Sequence, residues 1–474
     1  MKSVFKLSHA RSSLYLVFTF LIFLFSSCQK EKQPLNPEVG LLTADEEGNG
    51  HGHLKQTKKF SSDVVVRWLN VQLDMLRVPL APGTGSQASE RALAYCGIAL
   101  YEAVVQGMPA YRSLCGQLTD FPQMPRTEPG KAYHWAAVAN AALADMNRKL
   151  FPATSAANKT AIDNLENSLQ AIYANEANTK TLQRSIAHGK EVAARVFAWA
   201  ATDGSANVNP PYVPPVGPGL WVSTAPNFPA AVNPYASQRR LLVPGVAYGT
   251  ALQPLPPYSE DPSSPFFAMV KDVYDKSQAL TPEQTAMAIY HRDAPGYPGG
   301  GHFVAVLSQV ISKAQPSLDI AALAYAKTGI AISDAVIICF INKYNYNLVR
   351  PITYIRNVMG YTTWNALFNT PGHPEFPSAH AVNGAAAAAM LTTVFGRHFQ
   401  FELHTYDYLG LPARSYNSFY EMGKEMADSR VFGGIHYKAS CDKGRELGEK
   451  VVQNILRRVR FFKGGGHHGH NGHD

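Results

Sequence analysis

Residues 373–390 read HPEFPSAHAVNGAAAAAM. Proline stops helices and alanine is the strongest helix former, so the chain bends through Pro374 and Pro377 and a helix starts at Ser378. His380 then sits on the first turn of a helix that is otherwise plain alanine. The free N–H groups and partial positive charge of a helix start favour an anion. Ser378 fits two roles there: capping the helix, or giving its hydroxyl and N–H to an oxyanion, with Ala379 adding a backbone N–H. His380, with an ordinary pKa of about 6.5, suits acid–base work.

Working outward, apolar residues recur at three- and four-residue intervals in SERALAYCGIALYEAVVQGM, AYHWAAVANAALADMNRKLF, LQRSIAHGKEVAARVFAWA, PEQTAMAIYHRD, AVLSQVISKA, SLDIAALAYAKTGIAISDAVIICFINKYNYNL and RELGEKVVQNILRRVRFF. Stretches of clean alternation are scarce. The fold class is therefore all-α, a helical bundle with long irregular loops. The longest such loop, 204–262, is rich in proline and aromatics, and loops of that length inside a domain are functional or wrap the surface. Trp221 within it reads as packing.

Two further segments carry charge that could reach the anion. In KYNYNLVRP, Lys343 and Arg350 are seven apart, which puts both on one helix face, and Pro351 is expected to end that helix with Arg350 at its end. A solvated basic edge fits the same residues. In SRVFGGIHYKASCD, Gly433 and Gly434 break the helix and allow Arg430 and His436 to turn towards one site, although His436 alone also fits a structural histidine. Taken together, three cations match a tetrahedral oxyanion, guanidinium forks grip such oxygens in pairs, and one histidine is left to bond the central atom while the other handles protons.

The chain of 474 residues is 46% hydrophobic and 16% charged, enough to bury a sizeable core. Lys2, Lys6 and Arg11 precede a 12-residue apolar run, Leu14 to Phe25, too short to span a bilayer and suited to a signal peptide. FSSC before Gln29 is similar to a bacterial lipoprotein box with Cys28 as the lipidated residue; a secretory signal cut nearby is the alternative. Loss of residues 1–27 lowers the net charge from +8 to 40 − 35 = +5, too mild for a nucleic-acid partner. The expected layout is a signal over 1–27, a flexible tether over 28–60, one helical domain over 61–463 with its catalytic core about 320–460, and a His/Gly-rich tail over 464–474. The tail fits either a transition-metal ligand or a solvated end. Cys96, Cys115, Cys339 and Cys441 match no zinc spacing; one or two disulfides are open, and Cys339 reads as core. No run of about 20 apolar residues is expected after the signal. No nucleophile elbow surrounds Ser378, and no phosphate-binding glycine loop or H-E-x-x-H occurs.

The pattern Lys-x6-Arg-Pro, Pro-Ser-x-His and Ser-Arg-x5-His, over about 343–442, resembles the superfamily of vanadium-dependent haloperoxidases and type 2 phosphatidic acid phosphatases, and the length and Pro-rich stretch are similar to its haloperoxidase branch. The resemblance implies that Lys343, Arg350, Arg430, Ser378 and the N–H of Ala379 hold vanadate, or phosphate in the same pocket. It implies His436 as the vanadium ligand, or the nucleophile in a phosphatase, and His380 as the acid–base histidine. Ala379 stands where relatives carry glycine. Ser440 stands where relatives carry an aspartate, so Asp442 either orients His436 or caps the last helix. His373 is similar to a histidine of bromoperoxidases and would tune halide oxidation; it also fits a loop histidine. Phe340 fits a halide pocket or a plain apolar position. The implied activity is oxidation of halide, bromide favoured, by hydrogen peroxide, with Lys343 polarising the peroxide. The alternatives are an exported phosphatase acting on small phosphoesters through a phospho-histidine, and a non-catalytic oxyanion-binding lipoprotein. The expected location is the periplasmic or surface side of a Gram-negative outer membrane, with membrane contact only through the lipid anchor, and a homo-oligomer by analogy.

Overall fold

The computed structural model describes residues 54–77, 88–293 and 295–464. The signal, Cys28, most of the tether and the tail beyond Gly464 lie outside the described residues.

Thirteen α-helices form the described chain: α1 Asp63–Leu76, α2 Ala88–Val104, α3 Trp135–Leu150, α4 Ala156–Tyr173, α5 Thr179–Ala200, α6 Pro265–Gln278, α7 Pro282–Tyr290, α8 Gly301–Ala314, α9 Leu318–Tyr346, α10 Pro351–Asn357, α11 Ala379–Phe395, α12 Phe419–Phe432 and α13 Lys438–Arg458. One short antiparallel hairpin pairs β1 Phe401–Leu403 with β2 Arg414–Tyr416. The all-α expectation holds.

The 29-residue α9 is the axis. It is apolar on every side, which suits a helix covered all round. α2 packs along one flank, α11 along another, and α11 in turn carries α12 and α13. By length and composition α9 could cross a membrane, contrary to the expectation of no such run, but 94% of its most apolar window is buried inside the bundle. Small residues set the helix spacing. At Gly329 a Cβ would stand 2.3 Å from the Leu93 carbonyl of α2, and at Gly448 it would stand 2.2 Å from the Val382 carbonyl of α11. The alanines of α11 serve the same end.

Two boundaries differ from expectation. Thr57 and Phe60, within the predicted tether, are buried, and the Phe60 carbonyl accepts from Leu318 N at 2.8 Å. Lys343 and Arg350 do not share a helix. α9 ends at Tyr346 because Asn347 adopts the left-handed conformation that asparagine tolerates, and Pro351 opens α10 instead of closing α9. Proline fits that first position because its missing N–H has no partner there. Arg350, at φ −80 and ψ 150, is the extended residue before proline.

The irregular connection 204–262 wraps the C-terminal half of α9. Asp334 of α9, wholly buried, accepts Leu242 N at 2.6 Å and Val243 N at 3.0 Å. Trp221, 1% exposed, is packing, and its N–H reaches the Asn347 carbonyl at 2.7 Å. The four described cysteines are free thiols, and Cys339 is core.

Candidate active site

The loop 371–377, between α10 and α11, is gripped from two sides. Lys343, in the last turn of α9, sends Nζ to the carbonyls of Pro374 at 2.9 Å and Glu375 at 3.1 Å. Arg350 donates from Nε to the His373 carbonyl at 2.8 Å and from one terminal nitrogen to the Ile435 carbonyl at 2.9 Å. Both cations are fully buried. Their stems start on separate elements, yet they converge on one loop, as the motif required.

His436 follows the Gly433–Gly434 break. Gly434, at φ +77, takes a conformation that favours glycine and turns the chain out of α12. The imidazole Nδ1 lies 2.8 Å from the Glu375 carboxylate, which also accepts the Tyr437 N–H at 2.9 Å. Nε2 lies 3.2 Å from Arg350. A guanidinium has no lone pair, so Nε2 is the acceptor and Nδ1 carries the hydrogen that Glu375 takes. The ring is therefore neutral, with its lone pair on Nε2 turned towards Arg350. Burial, reinforced by Arg350 and Lys343, pushes its pKa well below the ordinary imidazole range.

Ser378 stands at the N-cap of α11 but its hydroxyl does not cap the helix. That hydroxyl is buried without a well-formed hydrogen bond, near the Cys441 thiol, so it remains a donor for a ligand. Its N–H makes a long contact, 3.4 Å, with the Ser440 carbonyl. Ala379 is the first helical residue and is not at positive φ, so alanine fits where relatives carry glycine. His380 Nε2 is held at 2.8 Å by Asp293, which leaves Nδ1 for proton exchange. Burial and the nearby Arg430 lower the His380 pKa while Asp293 raises it, with a net lowering. Arg430, 2% exposed, donates to the His291 carbonyl, lies 5.0 Å from the Phe368 ring, and keeps a buried Nε without a partner.

Three buried cations thus face two carboxylates, Glu375 and Asp293, each already engaged by a histidine. Burial lowers Lys343 to about 7 and Arg350 to about 10 against the opposing pull of Glu375, so an anion bound beside them would favour their charged forms. An oxyanion is the guest this donor set fits: cationic and N–H or O–H donors for its oxygens, one imidazole lone pair for its central atom. Among the described residues no group of three or more His, Cys, Asp or Glu is arranged to hold a bare cation.

A family model described as the VCPO second helical-bundle domain matches residues 323–464, the segment that carries all of these groups except Asp293. A solved structure described as the first bacterial vanadium-dependent iodoperoxidase is similar with a TM-score of 0.76 at 27% identity, covering 85% of this chain and 98% of that one. Residues 323–464 thus carry a domain of the vanadium haloperoxidase type, and the chain shares the fold of the bacterial iodoperoxidase. An apo-type and a holo-type bacterial vanadium-dependent chloroperoxidase share the fold, with TM-scores of 0.60 and 0.59 at 16% and 15% identity, covering 81% and 86% of this chain and 96% and 99% of those chains. No curated protein matches. Fold and matched domain support a haloperoxidase-like, peroxidase-type enzyme.

Against the haloperoxidase pattern, one residue is displaced. Asp442 neither orients His436 nor caps α13. It lies a turn beyond the helix start, four residues from Lys438, and pairs with that lysine on a half-exposed face. Glu375 takes the orienting position instead. It is the only carboxylate in the 373–390 stretch, set among prolines and apolar residues, and that isolation was the available signal. Asp293 had no such signal, standing 87 residues before His380. His373 is buried in the site: its Nδ1 lies 2.9 Å from Arg350 and 3.1 Å from the Pro374 carbonyl, and the Phe340 ring packs edge-on at 5.2 Å. Burial, with Lys343 and Arg350, holds His373 neutral.

Proposed function

We propose that this chain is a vanadate-dependent haloperoxidase that oxidises bromide and iodide with hydrogen peroxide. The observation that carries the reading is the neutral His436, its Nδ1–H on Glu375 and its Nε2 lone pair beside Arg350. His436 Nε2 would bond vanadium; Lys343, Arg350, Arg430, the Ser378 hydroxyl and the first N–H groups of α11 would hold the oxygens. Bound vanadate supplies Lewis acidity that activates hydrogen peroxide towards a halide without a change in metal oxidation state.

The residues of the chain do the rest. Arg350 and Arg430 neutralise anionic charge in a dry pocket, where each interaction is stronger than in water. Lys343, pushed down to about 7 by burial, gives or takes a proton near neutrality. His380 exchanges a proton at Nδ1 while Asp293 holds its other nitrogen. His373, packed on Phe340, would set the halide preference. The iodoperoxidase at 27% identity supports iodide beside bromide. Hydrogen peroxide and halide are the partners in this reading, met by an exported chain lipidated at Cys28.

The test loads purified protein with vanadate and compares peroxide-driven bromination and iodination with phosphoester hydrolysis by the metal-free form. Vanadate-dependent halogenation that disappears in His436→Ala supports the reading. Hydrolysis of phosphoesters without halogenation replaces it with the phosphatase, and neither activity replaces it with an oxyanion binder.

A further inference from the structure

Away from the His436 pocket, a cavity of about 510 Å³ opens beside the C-terminal end of α5, lined by Trp199, Thr202, Asn207, Gln238, Arg239 and Arg240 among others. A second, of about 200 Å³, shares Gly204 and Arg239 with it. Neither uses a residue placed above around His436. Arg239 borders both cavities and is 8% exposed. Among the described residues its side chain makes no hydrogen bond and no close ion pair, although Glu90 and Asp203 lie near enough to act on its charge, and its Nε is buried without a partner.

Two carboxylates, Asp120 and Asp203, line the same cavity, and Asp203 is already engaged by other groups. Asp203 accepts Arg91 Nε and the Tyr95 hydroxyl on one oxygen, each at 2.8 Å, and Ser205 N on the other at 2.8 Å. Glu90 takes the Ser89 hydroxyl at 3.2 Å; burial raises its pKa and the nearby Arg239 lowers it, with a net raising. Arg240 lies over the Trp199 ring at 4.3 Å and is fixed by Thr202 and the Trp199 carbonyl, with its own Nε buried and unpaired. The wall is rigid: Gly204, at φ +85, leaves no room for a Cβ, which would meet the Gln238 carbonyl at 2.4 Å. A buried guanidinium without a hydrogen-bond partner is costly, and a planar fork of donors matches the paired oxygens of a carboxylate or phosphate.

We propose that this cleft binds a small organic oxyanion, a carboxylate or phosphate ester, with the Arg239 guanidinium as its principal contact and Arg240 as the supporting charge. The site is independent of the His436 pocket and of the reaction proposed there.

The experiment titrates benzoate and phenyl phosphate separately into the metal-free protein by calorimetry, in wild type, Arg239→Gln, Gln238→Glu and His436→Ala. Gln238 is exposed, so its variant folds whether or not Arg239→Gln does, and it places a negative charge on the rim. The expected result is saturable binding of at least one probe, at least tenfold weaker in Arg239→Gln and Gln238→Glu and unchanged in His436→Ala. Benzoate alone would identify a carboxylate site, phenyl phosphate alone a phosphate site. No saturable binding of either probe overturns the proposal, as does binding that survives both cleft variants. Phenyl phosphate binding lost only in His436→Ala overturns it too, by assigning that ligand to the other pocket.

Discussion

Glu375 decides which nitrogen of His436 is free. Its carboxylate fixes Nδ1–H, and burial raises its pKa to about 7. As pH falls through about 7 the carboxylate protonates, its grip on Nδ1–H loses the help of its charge, and the Nε2 lone pair is less firmly enforced. Residues that orient a metal-binding histidine are typically worth 10- to 100-fold in affinity or activity. Glu375→Gln is therefore expected to weaken vanadate activation by about tenfold or more and to flatten the acid limb of the pH–rate profile near 7. An unchanged profile would remove Glu375 from the site. At this scale the legible residues were those with unusual chemistry at fixed spacing: Lys343, Arg350, Ser378, His380, Arg430 and His436. The partners that set their protonation, Glu375 and Asp293, are common residue types whose meaning comes from what lies opposite them, and Asp442 was considered only because relatives carry an aspartate near that place.

At the scale of elements, periodicity located α2, α3, α5, α7, α8, α9, α11 and α13, since each buries a stripe or, for α9, its whole surface. It passed over α1, α4, α6, α10 and α12 and misplaced the stop at Pro351, because proline marks the first turn of a helix as well as an end. Interior helices here depend on small residues at their crossings. Gly329→Ala would drive a methyl group into the Leu93 carbonyl, and forced repacking of that kind costs about 1–3 kcal/mol. Thermal and denaturant unfolding of Gly329→Ala should show that loss; a variant as stable as wild type would mean α2 and α9 are not in close contact. Asp334 pins the wrapping connection through two amides, so Asp334→Leu leaves two buried N–H groups unpaired, at about 1–3 kcal/mol each. Its unfolding midpoint should drop accordingly, and no drop would contradict the pinning.

The whole molecule carries an acid liability. Burial, with neighbouring cations in several cases, lowers the pKa of His134, His188, His291, His302, His373, His380 and His436. Each is neutral in the fold at a pH where the unfolded chain binds a proton, so stability is complete above about 6.5 and is lost as pH falls below it. Glu102, Asp334 and Glu375, raised to about 7, act in the opposite sense between about 4.5 and 7, but the histidines outnumber them. The melting temperature of the oxyanion-free protein should fall from pH 7 to pH 5; a rise would show the carboxyls dominate. Bound vanadate, by pairing the three buried cations, should raise the melting temperature with its concentration. The central claim, that Lys343, Arg350, Arg430, Ser378, His380 and His436 surround one oxyanion, is tested most directly by a crystal structure of the vanadate-soaked protein with vanadium located by its anomalous signal. The account predicts a single vanadium bonded to His436 Nε2 with Lys343, Arg350 and Arg430 on its oxygens. Vanadium at any other site, or bonded to any other nitrogen, would contradict it.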